Sequence, residues 1–266
     1  MAIYITADLH LSPLTQDLNA AFKAFVDTLS HNDILILSGD LFDFYVGPDP
    51  SDSSQILVRE ILAAATRRGV KCYFQHGNRD FLLNKKEARA LHLGLLPDLY
   101  VIQTPSGPCL VLHGDSLCTN DTAYMKFKRM VEKPWLQWLF LHLPLTLRRK
   151  VALSIRKKSL EAERADPKVY GVVRKTLAEV VKRYRVQNVV HGHIHLLGKY
   201  VNEVPDLNIR LSLGAWGSTF SYVRVDRNGI AIAQKPLDTL LKGQSATGRP
   251  ARRAVSPIEN LYRRQG

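Results

Sequence analysis

Cysteine is scarce in this chain. Cys72, Cys109 and Cys118 are the only three in 266 residues, too few and too irregular for a disulfide framework, and their number suits a reducing compartment. No apolar run reaches about 18 residues, so no membrane-spanning helix is expected. The opening MAIYITADLHLSP has no cationic stretch ahead of an apolar core, so it does not read as a secretion signal. These absences predict a cytosolic protein, free to work at a membrane surface. Hydrophobic residues at 45% and charged residues at 23% exclude a disordered, collagen-like or disulfide-scaffold chain. The length suits one large domain, or a core with an inserted lobe, that buries its own apolar centre.

Acidic residues are sparse where cations concentrate. The formal net charge is +13, and residues 126–158 hold ten cations against Glu132 alone. Residues 239–266 hold six cations against Glu259, so the rest of the chain is close to neutral. Basic patches on a neutral body suit an anionic partner such as nucleic acid, an anionic membrane surface or a phosphorylated substrate. The tail can equally be a solvated charged extension.

Five short β-type runs each end in a polar cluster: IYIT (3–6) before Asp8 and His10, DILIL (33–37) before Asp40, KCYF (71–74) before Asn78, CLVL (109–112) before His113, and NVV (188–190) before His193 and His195. Helical apolar spacing over 16–29, 55–66 and 167–184 separates several of them, the last with Asp166-Pro167 as its predicted start. Strands alternating with helices predict an α/β fold with parallel sheet. Runs at 196–204, 207–213, 220–226 and 230–235 lack intervening helices and predict an antiparallel second sheet. The expected architecture is therefore a β-sandwich flanked by helices. Residues 1–118 and 166–237 form its core, 119–165 an inserted helical cap, and 238–266 a basic, disordered tail. Within the cap, WLQWLFLHLPL (135–145) is too short to span a bilayer. It reads either as a buried cap core or as a surface that dips into lipid.

Side chains just beyond the carboxyl ends of strands in such sheets converge on one crevice. Here those ends deliver Asp8, His10, Asp40, Asn78, His113, His193 and His195. This mixture of carboxylate, amide oxygen and imidazole suits manganese, iron or zinc in the divalent state. Seven ligands are too many for one ion, and two ions sharing a carboxylate would use them well. Asp43, Asp80 and Asp115 read as supports that orient imidazoles and loops. His31, His76, His92 and His142 read as structural or surface residues.

The ordered set DLH, GDLFD, GNRD, HGD and GHIH resembles the calcineurin-like metallophosphoesterases over roughly 1–115 and 185–236. SGDLFDFYVG (38–47), HGNRDFLL (76–83), HGDSLCTND (113–121) and KPWLQWLFLHLPL (133–145) are further similar to the UDP-2,3-diacylglucosamine diphosphatase family of lipid A synthesis, extending the resemblance to about 1–237. The resemblance implies one ion on Asp8, His10, Asp40 and His195, and a second on Asp40, Asn78, His113 and His193, both most often manganese. It implies hydrolysis of the pyrophosphate of a lipid-linked nucleotide by an activated water that attacks the α-phosphorus. Asp40 and Arg79 would be catalytic, and Asn78, Arg79, Asp121, Tyr124, Arg156, Ser159 and His193 would bind substrate. It implies peripheral attachment to the cytoplasmic face of the inner membrane, with no nucleic acid as partner. No protein partner can be inferred. Where that family usually carries Asn and Lys in the cap, this chain has Glu163 and Asp166.

Two other readings compete. Another dimetal phosphoesterase, acting on nucleic acid, a cyclic nucleotide or a phosphoprotein, would use the metal set but leaves the tryptophan- and leucine-rich cap unexplained. A non-enzymatic basic module would have no need of a complete ligand set.

Overall fold

The computed structural model describes residues 1–165 and 171–241, with the helical backbone alone for 157–165. Two mixed sheets stack face to face between outer helices. The first has strand order β11-β10-β1-β2-β3-β4: β1 (Ile3–Thr6), β2 (Ile34–Ser38), β3 (Lys71–Gln75) and the short β4 (Gly94–Leu95) run parallel, while β10 (Thr219–Asp226) and β11 (Gly229–Pro236) add antiparallel. The second has the order β5-β6-β7-β9-β8. Its centre, β6 (Cys109–Leu112), β7 (Asn188–His191) and β9 (Ile209–Ser212), is parallel, and β5 (Leu99–Ile102) and β8 (Gly198–Val201) are antiparallel edges.

The side-chain period of two explains the layering. On β2, Ile34 and Ile36 face the other sheet and meet Val111, Val190 and Leu211. Leu35 and Leu37 face the opposite way, onto Phe22, Phe25 and Val26 of α1 (Gln16–Asp27) and Val58 and Leu62 of α2 (Ser53–Arg67). Strands covered on both faces need the continuous apolar runs seen here. α2 begins where the Asp52 carboxylate accepts from the amides of Ser54 and Gln55, satisfying two orphan donors of the first turn. On the far side, Leu177 and Val181 of α7 (Arg174–Tyr184) cover Leu110, Leu112 and Val189.

Three expectations change. The later strands do not form a sheet of their own: β8 and β9 extend the second sheet, with β9 parallel to β7, and β10 and β11 extend the first. A run of strands without helices is silent about which edge each strand joins. The helix expected from 167 begins at Arg174. Val173 is extended and donates its amide to the Leu117 carbonyl, so that bond to the core takes the place of another helical turn; Asp166-Pro167 lies outside the described residues. The expected tail begins too early, because Asp238–Leu241 forms the short helix α8, with Leu240 and Leu241 against the α1 side of the core. Residues 242–266 lie outside the described residues.

The inserted segment is helical: α3 (Lys85–Ala90) precedes it in the core, and α4 (Thr122–Val131), α5 (Pro134–Leu141) and α6 (Leu145–Ala165) build the cap. α5 answers both readings of its apolar run. Leu136 and Phe140 line a cavity beneath the cap, while Trp135, Trp138 and Leu139 are 63%, 62% and 49% exposed.

Candidate active site

Parallel pairing aligns the carboxyl ends of β1, β2 and β3, and those of β6 and β7, at one edge of the sandwich. The turns beyond them carry all seven expected ligands. Five of the ten non-glycine residues with positive φ among the described residues are from this set: Asp8, His10, Asp40, His193 and His195. Backbone in that region is disfavoured for residues with a Cβ and persists only where surrounding contacts over-determine it. Those contacts are present. The Asp8 amide donates to the Gly39 carbonyl at 3.1 Å, the His10 amide to the Asp40 carbonyl at 3.0 Å, and the Asp8 carbonyl accepts from the Trp216 amide at 3.0 Å. Close approach makes Gly77 necessary: a Cβ there would lie 2.2 Å from Asp40 Oδ1.

The ligands fall into two groups joined at Asp40. Donor atoms of Asp8, His10, Asp40 and His195 lie within 4.8 Å of one another. His10 Nε2 is 3.1 Å from His195 Nε2, and Asp8 Oδ1 is 3.6 Å from His195 Nε2. Asp8 Oδ1 and His10 Nδ1 are buried without a hydrogen-bond partner, which native interiors rarely tolerate unless something else binds there. In the second group, Asn78 Oδ1 sits 3.0 Å from His113 Nε2 and 2.9 Å from His193 Nδ1. His113 Nε2 is 3.7 Å from Asp40 Oδ1. Convergent oxygen and nitrogen donors, with orphaned buried atoms among them, fit divalent metal ions.

The electrostatics agree. Burial, then the neighbouring His113, pushes the His193 imidazole down to about 3. Burial, then the Arg79 guanidinium, holds His10 well below its usual value. Both rings are therefore neutral, the form that binds metal. Burial pushes the Asp40 carboxyl up, against the pull of His113 and Arg79.

The supporting aspartates, expected to orient imidazoles and loops, hold loops and cations, with no hydrogen bond to an imidazole among the described residues. Asp80 accepts from the amides of Gly77 at 2.8 Å and Leu41 at 2.7 Å, and Asp43 Oδ1 lies 2.5 Å from Arg79 Nη1. Asp115 accepts from the Tyr124 hydroxyl at 2.5 Å and from Lys128 Nζ at 2.7 Å, tying α4 to the turn that follows β6. His113 is instead oriented through Nδ1, 3.0 Å from the Ser38 carbonyl oxygen.

Arg79 is nearly buried, with Nε 3.2 Å from Asp40 Oδ2, so it stands at the shared carboxylate. The Tyr124 ring lies 6.1 Å from that of His193. Arg156 lines an apolar cavity beside Phe44. The Asp121 carboxylate caps α4 by accepting from the Tyr124 amide at 2.8 Å. The side chains of Ser159 and Glu163 lie outside the described ones, as does Asp166.

Two cavities meet at Asn78, Phe81, Tyr124 and Phe127. One, of about 290 Å³, has walls of Phe44, Leu82, Phe127, Leu136, Phe140 and Ile155, with Arg79 and Arg156 also on its lining. The other, of about 390 Å³, is more polar, with Asn84, Lys85, Asp98, Asp115, Lys128 and Glu132. No local sequence signal marks either, because their walls come from separate core and cap segments and exist only once the cap sits on the core.

The calcineurin-like phosphoesterase family model matches residues 1–197, and the chain belongs to that family. The curated relatives narrow the class. The UDP-2,3-diacylglucosamine hydrolase of Actinobacillus succinogenes is 39% identical over 233 residues, covering 87% of this chain and 98% of that one. That of Pasteurella multocida is 38% identical over 225 residues, covering 84% and 93%. That of Edwardsiella ictaluri is 37% identical over 240 residues, covering 89% and 93%. Within the phosphoesterases, the chain is a member of the UDP-2,3-diacylglucosamine hydrolase family.

Proposed function

We propose that this protein hydrolyses the pyrophosphate bond of UDP-2,3-diacylglucosamine, releasing UMP and 2,3-diacylglucosamine 1-phosphate for lipid A synthesis. One observation carries the reading: an apolar cavity, with Arg79 and Arg156 on its lining, opens beside the two ligand groups. An acyl chain needs apolar walls, and a pyrophosphate needs cations and metal. The polar cavity across Asn78 suits the uridine end, since its three carboxylates favour a neutral hydrogen-bonding group over a phosphate. A nuclease would share the metal ligands but has no use for the apolar chamber.

Asp8, His10, Asp40 and His195 would hold one ion and Asp40, Asn78, His113 and His193 the other, with manganese the expected metal. Two divalent ions, when bound, supply an activated water and charge stabilisation for phosphoryl transfer. The chain's own residues do the rest. Arg79 is anchored by Asp43 and presents a guanidinium fork at the shared carboxylate, where charge develops on the attacked α-phosphate. Burial and the adjacent Asp115 carboxylate push the Tyr124 phenol up, so it stays neutral and keeps α4 over His193. Arg156 and the cap side chains orient the lipid-bearing half.

The same reading places the protein on the cytoplasmic face of the inner membrane. Trp135, Trp138, Leu139, Leu147 and Leu153 are exposed on a cap dense in Lys and Arg, a combination suited to the headgroup region. No helix among the described residues is long and apolar enough to cross a membrane. The deciding experiment is metal-stimulated release of UMP from UDP-2,3-diacylglucosamine, compared with UDP-N-acetylglucosamine lacking the acyl chains. Equal turnover of the two would remove the lipid from the reading.

A further inference from the structure

Behind the His193 turn lies a buried polar chain outside the ligand set. Arg210 on β9 is 3% exposed. Its Nε lies 2.6 Å from Glu203 Oε2 and its Nη2 3.0 Å from Glu203 Oε1, a two-pronged pair. Its guanidinium carbon sits 3.8 Å over the Tyr200 ring of β8. The remaining prong, Nη1, reaches His191 Nε2 at 2.8 Å. A guanidinium can only donate, so His191 Nε2 accepts and the ring proton resides on Nδ1. That proton goes to the Gly192 carbonyl oxygen at 2.8 Å.

The consequence falls on the next residue. The Gly192 amide donates to the His113 carbonyl at 2.7 Å, so Gly192 is held at both its amide and its carbonyl. No side chain fits there, because a Cβ would lie 2.4 Å from Asp8 Oδ2. His193 follows with φ +70°. Its amide donates to Asp8 Oδ2 at 2.8 Å, and its Nδ1 reaches Asn78 Oδ1. A left-handed histidine of this kind needs contacts that over-determine it. A buried Arg–Glu pair is by itself a weak stabiliser of a fold. Here its third prong is aimed at an imidazole two residues before a metal ligand.

We propose that Glu203 and Arg210 are positioning residues, which act through His191 to lock the Gly192–His193 turn and so present His193 to the second ion. The inference rests on the two-metal reading of the site. The test uses the full chain, stripped with chelator, and the variants Glu203→Gln, Arg210→Lys and Arg210→Met. Manganese binding is measured by calorimetry, kcat and KM on UDP-2,3-diacylglucosamine, and the thermal midpoint separately. Partners beyond the ligand shell typically change metal affinity or activity about 10–100-fold. In Glu203→Gln and Arg210→Met, the affinity for one ion should fall at least about tenfold and that for the other less than about threefold. kcat at limiting manganese should fall with KM steady, and excess manganese should restore it. Arg210→Lys, which keeps the charge and loses the fork, should lie between. Nitrogen shifts of His191 in the metal-free protein should report an Nδ1-protonated ring in the wild type and a tautomer mixture in Arg210→Met.

A lowered thermal midpoint with unchanged metal affinities and unchanged kcat would overturn the proposal, leaving the pair a plain structural contact. So would a wild-type protein that binds a single ion. Should Arg210→Met fail to fold, Glu203→Gln decides, because it retains the guanidinium and loses only one charge. Normal binding of two ions without turnover of the lipid nucleotide would instead sink the proposed substrate, and the metal-affinity comparison would still stand or fall by itself.

Discussion

The metal-ligand edge and the cap are held together by opposite means. At the edge, Asp8, Asp40 and His113 are buried, and the turns that carry them are fixed by backbone hydrogen bonds between neighbouring loops. The cap has no fully buried residue in α4 or α5. Among the described residues, polar ties to the core include Asp115 with Tyr124 and Lys128, Arg148 on the Val46 carbonyl, and Arg149 on Asp49 and Ser51. Phosphoryl transfer needs groups fixed to a fraction of an ångström. A chamber for acyl chains needs only apolar walls, and gains from walls that can part to admit them. The fold places strain and burial where geometry matters, and exposed apolar surface on the cap, the face the proposed reading turns toward lipid.

That contrast predicts very unequal mutational costs. The largest belongs to Asp40, which both ligand groups share. Without its carboxylate, repulsion between two dications is unscreened, and Asp40→Ala should lose at least about 10³-fold in kcat/KM. Asp43→Ala, which removes only the anchor of Arg79, should lose far less. Near-normal turnover of Asp40→Ala with bound manganese would show that no carboxylate is shared.

Arg79 comes next. Because it is held at Asp40 and Asp43 and not in the apolar core, Arg79→Ala should keep the thermal midpoint and the manganese content. Its kcat/KM should fall by about 2–4 kcal/mol of transition-state stabilisation, the worth of a charge-assisted contact in a desolvated site. A structural Arg79 would give the reverse, with activity tracking the folded fraction.

The same contrast explains what could be read from sequence. The convergence of the seven candidate ligands was legible because each follows a strand end, and parallel strands must release their turns at one edge. The split of the last four strands was not, since β8–β9 and β10–β11 are alike in composition and only long-range packing assigns them to different sheets. An acidic residue before a helix serves equally as a cap or as a ligand, and Asp121 caps α4 through the Tyr124 amide. His191 and Arg210 left no signal: they are nineteen residues apart and meet only because β7 and β9 pair.

A smaller effect is expected at the outer face of the cap. Trp138 is exposed and, among the described residues, its ring meets one other, that of His142, tilted with ring centres 4.0 Å apart, and Leu139 is half exposed. Trp138→Ala and Leu139→Ala should therefore leave the thermal midpoint nearly unchanged while vesicle binding weakens. Leu141 is a poor probe, since its side chain lies against Gly47 of the core. Cations near anionic headgroups contribute about 1 kcal/mol each and fade with salt, whereas the inserted apolar surface does not. Binding to vesicles containing anionic lipid should fall with salt and level off above zero. If Arg148, Arg149 and Lys150 are changed together to Glu, the protein stays folded and vesicle binding is unchanged, the cap is a substrate lid and not a membrane surface.

The smallest effect concerns the tie between α6 and the loop before α2. Burial alone would push the Asp49 carboxyl up, but the Arg149 guanidinium, helped by the Ser51 hydroxyl and amide, more than offsets it and holds the group below the usual carboxylate range. The bound form has the lower pKa, so the tie is fully present above the unfolded value near 3.9 and is lost as pH falls through the depressed one. Arg149 is 46% exposed, so solvent screening limits the pair to about 1 kcal/mol or less. Asp49→Asn should therefore leave kcat on a soluble short-acyl analogue nearly unchanged at neutral pH. It should speed amide exchange in α6 and flatten the dependence of that exchange on pH below about 4, the window in which the wild-type tie is titrated away. Identical exchange in wild type and Asp49→Asn across that window would mean that Arg148 and the Asp115 anchor hold the cap without help from this pair.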